Sequence, residues 1–194
     1  MSTTALKRDG RYTWDEYQTW PNDERWELIS GEAYNMSPAP SIRHQVISIE
    51  LGKHLSLHFE GKVCRPFAAP TDVKLSEEDV VQPDLLVVCE SQKIKPTHIE
   101  GAPTLVVEIL SPKTGIKDRT AKMELYARAG VQEVWIVTPY PSLVEVFNLT
   151  PEGYRFAKAY AKEDALKSVV FSDLEIPLEG VFDSKTVAEV GGSA

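Results

Sequence analysis

Two apolar runs in the middle of the chain, Val80-Val81 with residues 85–88 and then residues 105–110, are dense enough in aliphatic and β-branched side chains to form buried strands. One carboxylate breaks each run: Asp84 directly after Pro83, and Glu108. Around them the period changes. Residues 42–59 carry apolar positions at mixed spacings of three and four, which predicts the longest helix, ending before Gly61. Residues 116–129 predict a second helix that stops at Gly130. Strand patterns then return at 134–137, 143–149 and 154–160, a meander turned by Pro139-Tyr140-Pro141 and Pro151-Glu152-Gly153, and residues 169–171 predict a last strand.

Toward the N-terminus, Thr13-Trp14-Asp15-Glu16 has capping-box spacing and predicts a short helix running to Trp20, where Pro21 and Asn22 end it. Residues 25–36 predict two short strands about a Ser30-Gly31 turn, with Glu27 inside the first. Further strands are predicted over 62–67 and 71–75, ahead of the acidic turn Ser76-Glu77-Glu78-Asp79, and residues 93–103 read as an exposed loop. The order of elements predicts an α/β fold, a central mixed β-sheet flanked by helices with additional antiparallel strands, in a single domain over 1–189 followed by a loose tail at 190–194.

A chain of 194 residues with 42% hydrophobic content is long enough for one sizeable core. No run of about 18 apolar residues occurs, so no membrane span is expected. The first residues lack the apolar stretch of a signal peptide, and Cys64 and Cys89 are too few for a disulfide framework. A cytoplasmic location is expected, with Cys89 as a small buried hydrophobe. The 21 basic and 29 acidic residues leave a net charge of -8, so a polyanion would have to be attracted by a local basic patch or a metal. His54 and His58 have the spacing of a zinc helix, but Leu55 replaces the glutamate that metalloprotease chemistry needs. Nucleotide-binding glycine loops are absent from the sequence.

The two strand carboxylates remain the features that ask for an explanation. Carboxylates are costly to bury unless paired, and two of them side by side repel unless a proton or a cation sits between them. Mg²⁺ suits such a site, since it takes carboxylate oxygens and keeps several waters. Asp118, Lys122 and Tyr126 recur every four residues along one face of the following helix, so Lys122 would bring an ammonium toward the strand ends. There it would orient a water or offset charge growing on a phosphoryl oxygen.

Gln82-Pro83-Asp84, Glu108-x-Leu110-Ser111-Pro112, Asp118-xxx-Lys122-xxx-Tyr126 and Gly130-Val131-x-Glu133-x-Trp135 together resemble the Uma-two family of restriction endonucleases, within the PD-(D/E)XK nuclease superfamily. The early Trp26-Glu27-Leu28-Ile29-Ser30-Gly31-Glu32 hairpin and His44 at the start of the long helix extend the resemblance over nearly the whole chain. The resemblance implies a restriction-endonuclease-like core in which Asp84, Glu108 and the main-chain carbonyl near Ile109 hold Mg²⁺ or Mn²⁺. It further implies Lys122 as the catalytic lysine, Glu27 as an accessory ligand and DNA as substrate. The superfamily lysine two residues after the glutamate is replaced here by Leu110; in the family resembled the lysine stands on the following helix, a position that Lys122 matches, with Lys113 on the loop as its rival. A homodimer is expected from the geometry of cutting two strands.

Each residue also has a plainer reading. Asp84 can end a strand in a turn, Glu108 can be salt-bridged to Lys113 or Arg119, Lys122 can lie on a solvated helix face, Glu27 can be half-exposed on its strand, and Tyr126 can pack in the core. The acidic balance also suits a binding or scaffold module with the nuclease fold and little catalysis. A hydrolase for a small phosphorylated molecule is a third possibility.

Overall fold

The computed structural model describes residues 11–21, 24–36, 39–111 and 117–183. In chain order, α1 (Trp14–Tyr17) precedes a hairpin of β1 (Trp26–Ile29) and β2 (Glu32–Asn35), and α2 (Ile42–Phe59) follows. Next come β3 (Arg65–Ala68), β4 (Val73–Lys74), β5 (Val80–Val81), β6 (Leu85–Val88), β7 (Ile99–Glu100) and β8 (Leu105–Ile109). The chain continues through α3 (Lys117–Ala129), β9 (Glu133–Thr138), β10 (Leu143–Thr150) and β11 (Gly153–Ala161), then β12 (Ala165–Lys167), β13 (Glu175–Pro177) and α4 (Leu178–Phe182).

The central sheet has six strands in the order β11-β10-β9-β8-β6-β3, antiparallel except where β8 and β9 run parallel across the α3 crossover. Its two faces follow from strand alternation. Leu85, Val87, Leu105, Val107 and Ile109 point toward α2, which meets them with Ile47, Leu51, Leu55 and Phe59. Leu86, Val88, Val106, Val134 and Ile136 point the other way, toward Leu125 and Tyr126 of α3. The four buried apolar side chains of α2, one per helical turn, each contribute about 2 kcal/mol by burial and hold that helix to the sheet. At its start, Ser41 caps α2 by accepting from the His44 N–H at 3.2 Å.

A second sheet, β2-β1-β5-β4-β7, lies beside the first. The Ser30-Gly31 turn closes its hairpin with φ of 52° and 76°, both in the left-handed region that suits a two-residue connection. The stretch from Val80 to Val88 is not one interrupted strand. Its first part is β5 in the second sheet and its second part is β6 in the central sheet, so Asp84 stands where the chain crosses between them.

Other expectations are corrected. The segment read as an exposed loop contains the short β7, which pairs in parallel with β4 and buries Ile99. β3 begins at Arg65, three residues later than the pattern suggested, and α1 ends at Tyr17. Residues 169–171 form no strand, because the backbone N–H groups of Val169 and Val170 donate to the buried Glu133 carboxylate at 2.9 and 2.6 Å. The small β12–β13 hairpin and α4, which the apolar pattern did not announce, supply Leu166, Ile176, Leu178 and Val181 to the α2 side of the core.

Cys64 and Cys89 form a disulfide, one step beyond the Arg65–Val88 pair of the β3–β6 ladder. The reading of Cys89 as a separate buried thiol is therefore overturned, and the cysteine count no longer argues for a reducing compartment. Among the described residues, no helix is long and apolar enough to cross a membrane. The tail at 190–194 lies outside the described residues.

Candidate active site

The site forms where three elements converge on the ends of β6 and β8. These strands pair as Leu85–Val107 and Leu86–Val106, so the next step in register sets Asp84 opposite Glu108. Two carboxylates that are 24 residues apart in sequence thus become neighbours through ladder geometry. The Asp84 carboxylate accepts from the Ile109 N–H through Oδ2 at 2.7 Å, and its Oδ1 lies 3.3 Å from His44 Nε2. Its main-chain carbonyl accepts from the Ala69 N–H at 3.0 Å, which ties the crossover residue to the turn after β3.

On the opposite face, α3 directs Lys122 and Tyr126 toward Glu108. The Lys122 Nζ lies 3.1 Å from Glu108 Oε1 and 2.8 Å from Glu27 Oε1, while the Tyr126 hydroxyl donates to the same Glu108 oxygen. Glu27, on β1 of the second sheet, also accepts from the Gln82 N–H at 2.9 Å. Gln82 is fixed in turn, donating to Asp72 at 2.8 Å and accepting from Arg25 Nε at 2.9 Å. The side chains of Glu27, Glu108 and Lys122 are 6%, 13% and 12% exposed, which rules out a solvated helix face for Lys122 and a half-exposed strand position for Glu27.

Burial and like charge dominate the electrostatics. Burial pushes the Glu108 carboxyl up to about 7, the Lys122 ammonium opposes that rise, and the neighbouring Asp84 and Glu27 carboxylates add to it. For Lys122, burial disfavours the charged form, but Glu108 and Glu27 outweigh it and hold the ammonium protonated above the ordinary lysine range. Burial, followed by the Glu108 and Glu27 charges, raises Tyr126 well above an ordinary phenol, so it remains a neutral donor. His44 is likewise disfavoured as a cation by burial, yet Asp84 and the Ile109 carbonyl reverse the balance and raise its pKa.

Among the described residues, no group of three or more His, Cys, Asp and Glu side chains is arranged to hold a metal ion. The core set expected from the sequence is two side chains, Asp84 and Glu108, plus a main-chain carbonyl at Ile109, with Glu27 as an accessory ligand. Its chemistry fits a hard cation, because the crowded carboxylates that raise Glu108 would be relieved by positive charge and all the donors are oxygens. Lys113, the rival lysine, lies outside the described residues, as does the side chain of Asp118.

The structure thus brings Asp84, Glu108, Ile109, Lys122 and Glu27 together, and adds two partners to which the sequence reading gave no role at the site. Tyr126 is buried, as its plainer reading held, but its hydroxyl is spent on Glu108. The contact of His44 with Asp84 had no local signal, since 40 residues separate the two and only the packing of α2 unites them. Glu133 and Trp135, part of the same run of motifs, lie away from this cluster. The Glu133 carboxylate accepts from Trp135 Nε1, Ser168 Oγ and two backbone N–H groups, a structural clamp on the segment after β12.

A family model described as "Putative restriction endonuclease", Uma2, matches residues 14–179. Similarity also extends to slr1290, an uncharacterized protein of Synechocystis sp., which is 28% identical over 159 residues, 79% of this chain and 82% of that protein. Among solved structures, a crystal structure from Anabaena variabilis described as "a putative nuclease belonging to DUF820" superposes with a TM-score of 0.72 at 20% identity, over 88% of this chain and 97% of the other. At that identity the match is one of fold, and it agrees with the mixed α/β architecture.

Proposed function

The chain belongs to the Uma2 family, and from that premise we propose that it is a metal-dependent endonuclease hydrolysing DNA phosphodiester bonds at a PD-(D/E)XK-type site. The observation that carries this reading is the buried Lys122 ammonium between Glu27 and Glu108, beside Asp84 at the strand ends. Asp84, Glu108 and the Ile109 carbonyl would hold Mg²⁺ or Mn²⁺, which when bound supplies Lewis-acid polarisation of a phosphate oxygen and acidifies a water. Lys122, held charged by its two carboxylates, orients the nucleophile or takes up charge growing on the phosphoryl oxygen. Glu27 sets the position of Lys122 from the second sheet, and Tyr126 fixes the Glu108 carboxylate by donating to it. With a net charge of -8, the bound cation and Lys122 provide local attraction for a phosphate backbone that the whole protein does not. Cutting both strands would use two such sites in a symmetric homodimer, and a monomer mass by sedimentation at working concentration would remove that part of the proposal.

The test is cleavage of supercoiled plasmid and single-stranded DNA in Mg²⁺ or Mn²⁺, with chelator controls, by wild type and by Asp84→Asn, Glu108→Gln and Lys122→Ala. Cutting that requires metal and is lost in all three folded variants is the expected result. Retention by Lys122→Ala alone would transfer its role to Lys113. Failure of the folded wild type to cut under any of these conditions would overturn the proposal in favour of a binding module with the nuclease fold.

A further inference from the structure

We propose that His44 is a positioning residue that fixes the Asp84 carboxylate from the α2 side of the sheet, an assignment that rests on the reading of Asp84 as a metal ligand. The two oxygens of Asp84 have different partners: Oδ2 accepts from the Ile109 N–H at 2.7 Å, and Oδ1 lies 3.3 Å from His44 Nε2. A backbone N–H alone leaves a carboxylate free to turn about its bond to Cβ. A second contact, from a rigid ring on the other oxygen, removes that freedom and sets which lone pairs face the site.

The imidazole is itself held. His44 is 8% exposed, its N–H donates to the Ser41 cap, and its helix is anchored one, two, three and four turns on by buried apolar side chains. Its second nitrogen, Nδ1, is buried with no hydrogen-bond partner in the structure. Packing alone does not account for that atom, since a leucine would fill the space without burying an unmatched nitrogen. The contact with Asp84 does account for the imidazole. Asp84 is thus oriented from α2 while Glu108 is oriented from α3, one carboxylate from each face of the sheet.

Two measurements on wild type, His44→Leu and His44→Gln test this. Leucine fills the volume without a donor, and glutamine places its amide nitrogen near the position of Nε2. In chelator, the Ile109 amide resonance reports its bond to the Asp84 carboxylate, with Asp84→Asn defining the position when the carboxylate charge is gone. His44→Leu is expected to move that resonance toward the Asp84→Asn position, and His44→Gln to leave it near wild type. Calorimetric titration with Mn²⁺ is expected to show 10- to 100-fold weaker binding by His44→Leu, with His44→Gln restoring most of the loss. An Ile109 amide and an Mn²⁺ affinity both unchanged in folded His44→Leu would overturn the assignment while leaving the metal site intact. If wild type binds no Mn²⁺, the metal reading falls, and the Ile109 resonance alone decides whether His44 orients Asp84.

Discussion

Replacing Glu108 by glutamine removes the charge that the site accommodates worst, so it should change the stability of the protein in a way that depends on pH. The carboxyl is raised from an ordinary 4.5 to about 7 in the folded protein, chiefly by burial. A carboxyl with a raised folded pKa binds its proton more tightly in the native state, so its stabilising contribution is complete below pH 4.5 and is lost as pH climbs through about 7. Each tenfold change in proton affinity is worth about 1.4 kcal/mol, so the wild type should lose about 3 kcal/mol across that window from this group alone. Glutamine resembles the protonated acid in shape and does not titrate. The variant should therefore match wild type at pH 4 and exceed it by up to about 3 kcal/mol at pH 8. Urea denaturation at unit steps from pH 4 to pH 8, in chelator, measures the difference directly. Mn²⁺ at pH 8 should then raise the wild type and leave the variant behind. A stability difference that stays constant with pH would refute the reasoning, because Glu108 would then be no more reluctant to ionise in the fold than in the unfolded chain.

Three further outcomes follow from the same contacts. Tyr126→Phe deletes the donor that favours ionised Glu108, so it should cost roughly 1–2 kcal/mol and cost more at pH 8 than at pH 5; an equal cost at both values would count against the hydrogen bond. Glu133→Leu strands Ser168 Oγ and the Val169 and Val170 N–H groups, and should lower stability by about 3–5 kcal/mol, a fall in melting temperature of about 10 °C by calorimetry. Reduction of the protein, or Cys64→Ser, opens a link across 25 residues and should cost about 3 kcal/mol in urea melts, whereas identical melts with and without reductant would show that the link carries no stability.

Glu108 and Glu133 look alike in this sequence, and in the structure they differ in what surrounds each one. Glu108 has an ammonium and a phenol on one oxygen and a second carboxylate across the ladder, so its negative charge is only partly answered. Glu133 accepts from a hydroxyl, an indole and two backbone N–H groups, so its oxygens are satisfied within the fold. The difference is invisible in the local pattern, where both glutamates simply lie among apolar strand residues.

Features whose physics is local could be read from the chain directly. The span of α2 was legible to the residue, because an apolar stripe and a following glycine act within a few turns of one another. The Ser30-Gly31 hairpin and the β9–β10–β11 meander were legible for the same reason, since turn residues and alternation operate over neighbouring positions. How distant segments meet was set by the packing of the whole fold. That packing divided the Val80 to Val88 stretch between two sheets, joined Cys64 to Cys89, turned residues 168–170 into a cradle for Glu133 and set His44 against Asp84. Each of these depends on which strands pair and in what register, and that choice is made by the burial of the whole core, to which a short window of sequence contributes only a part.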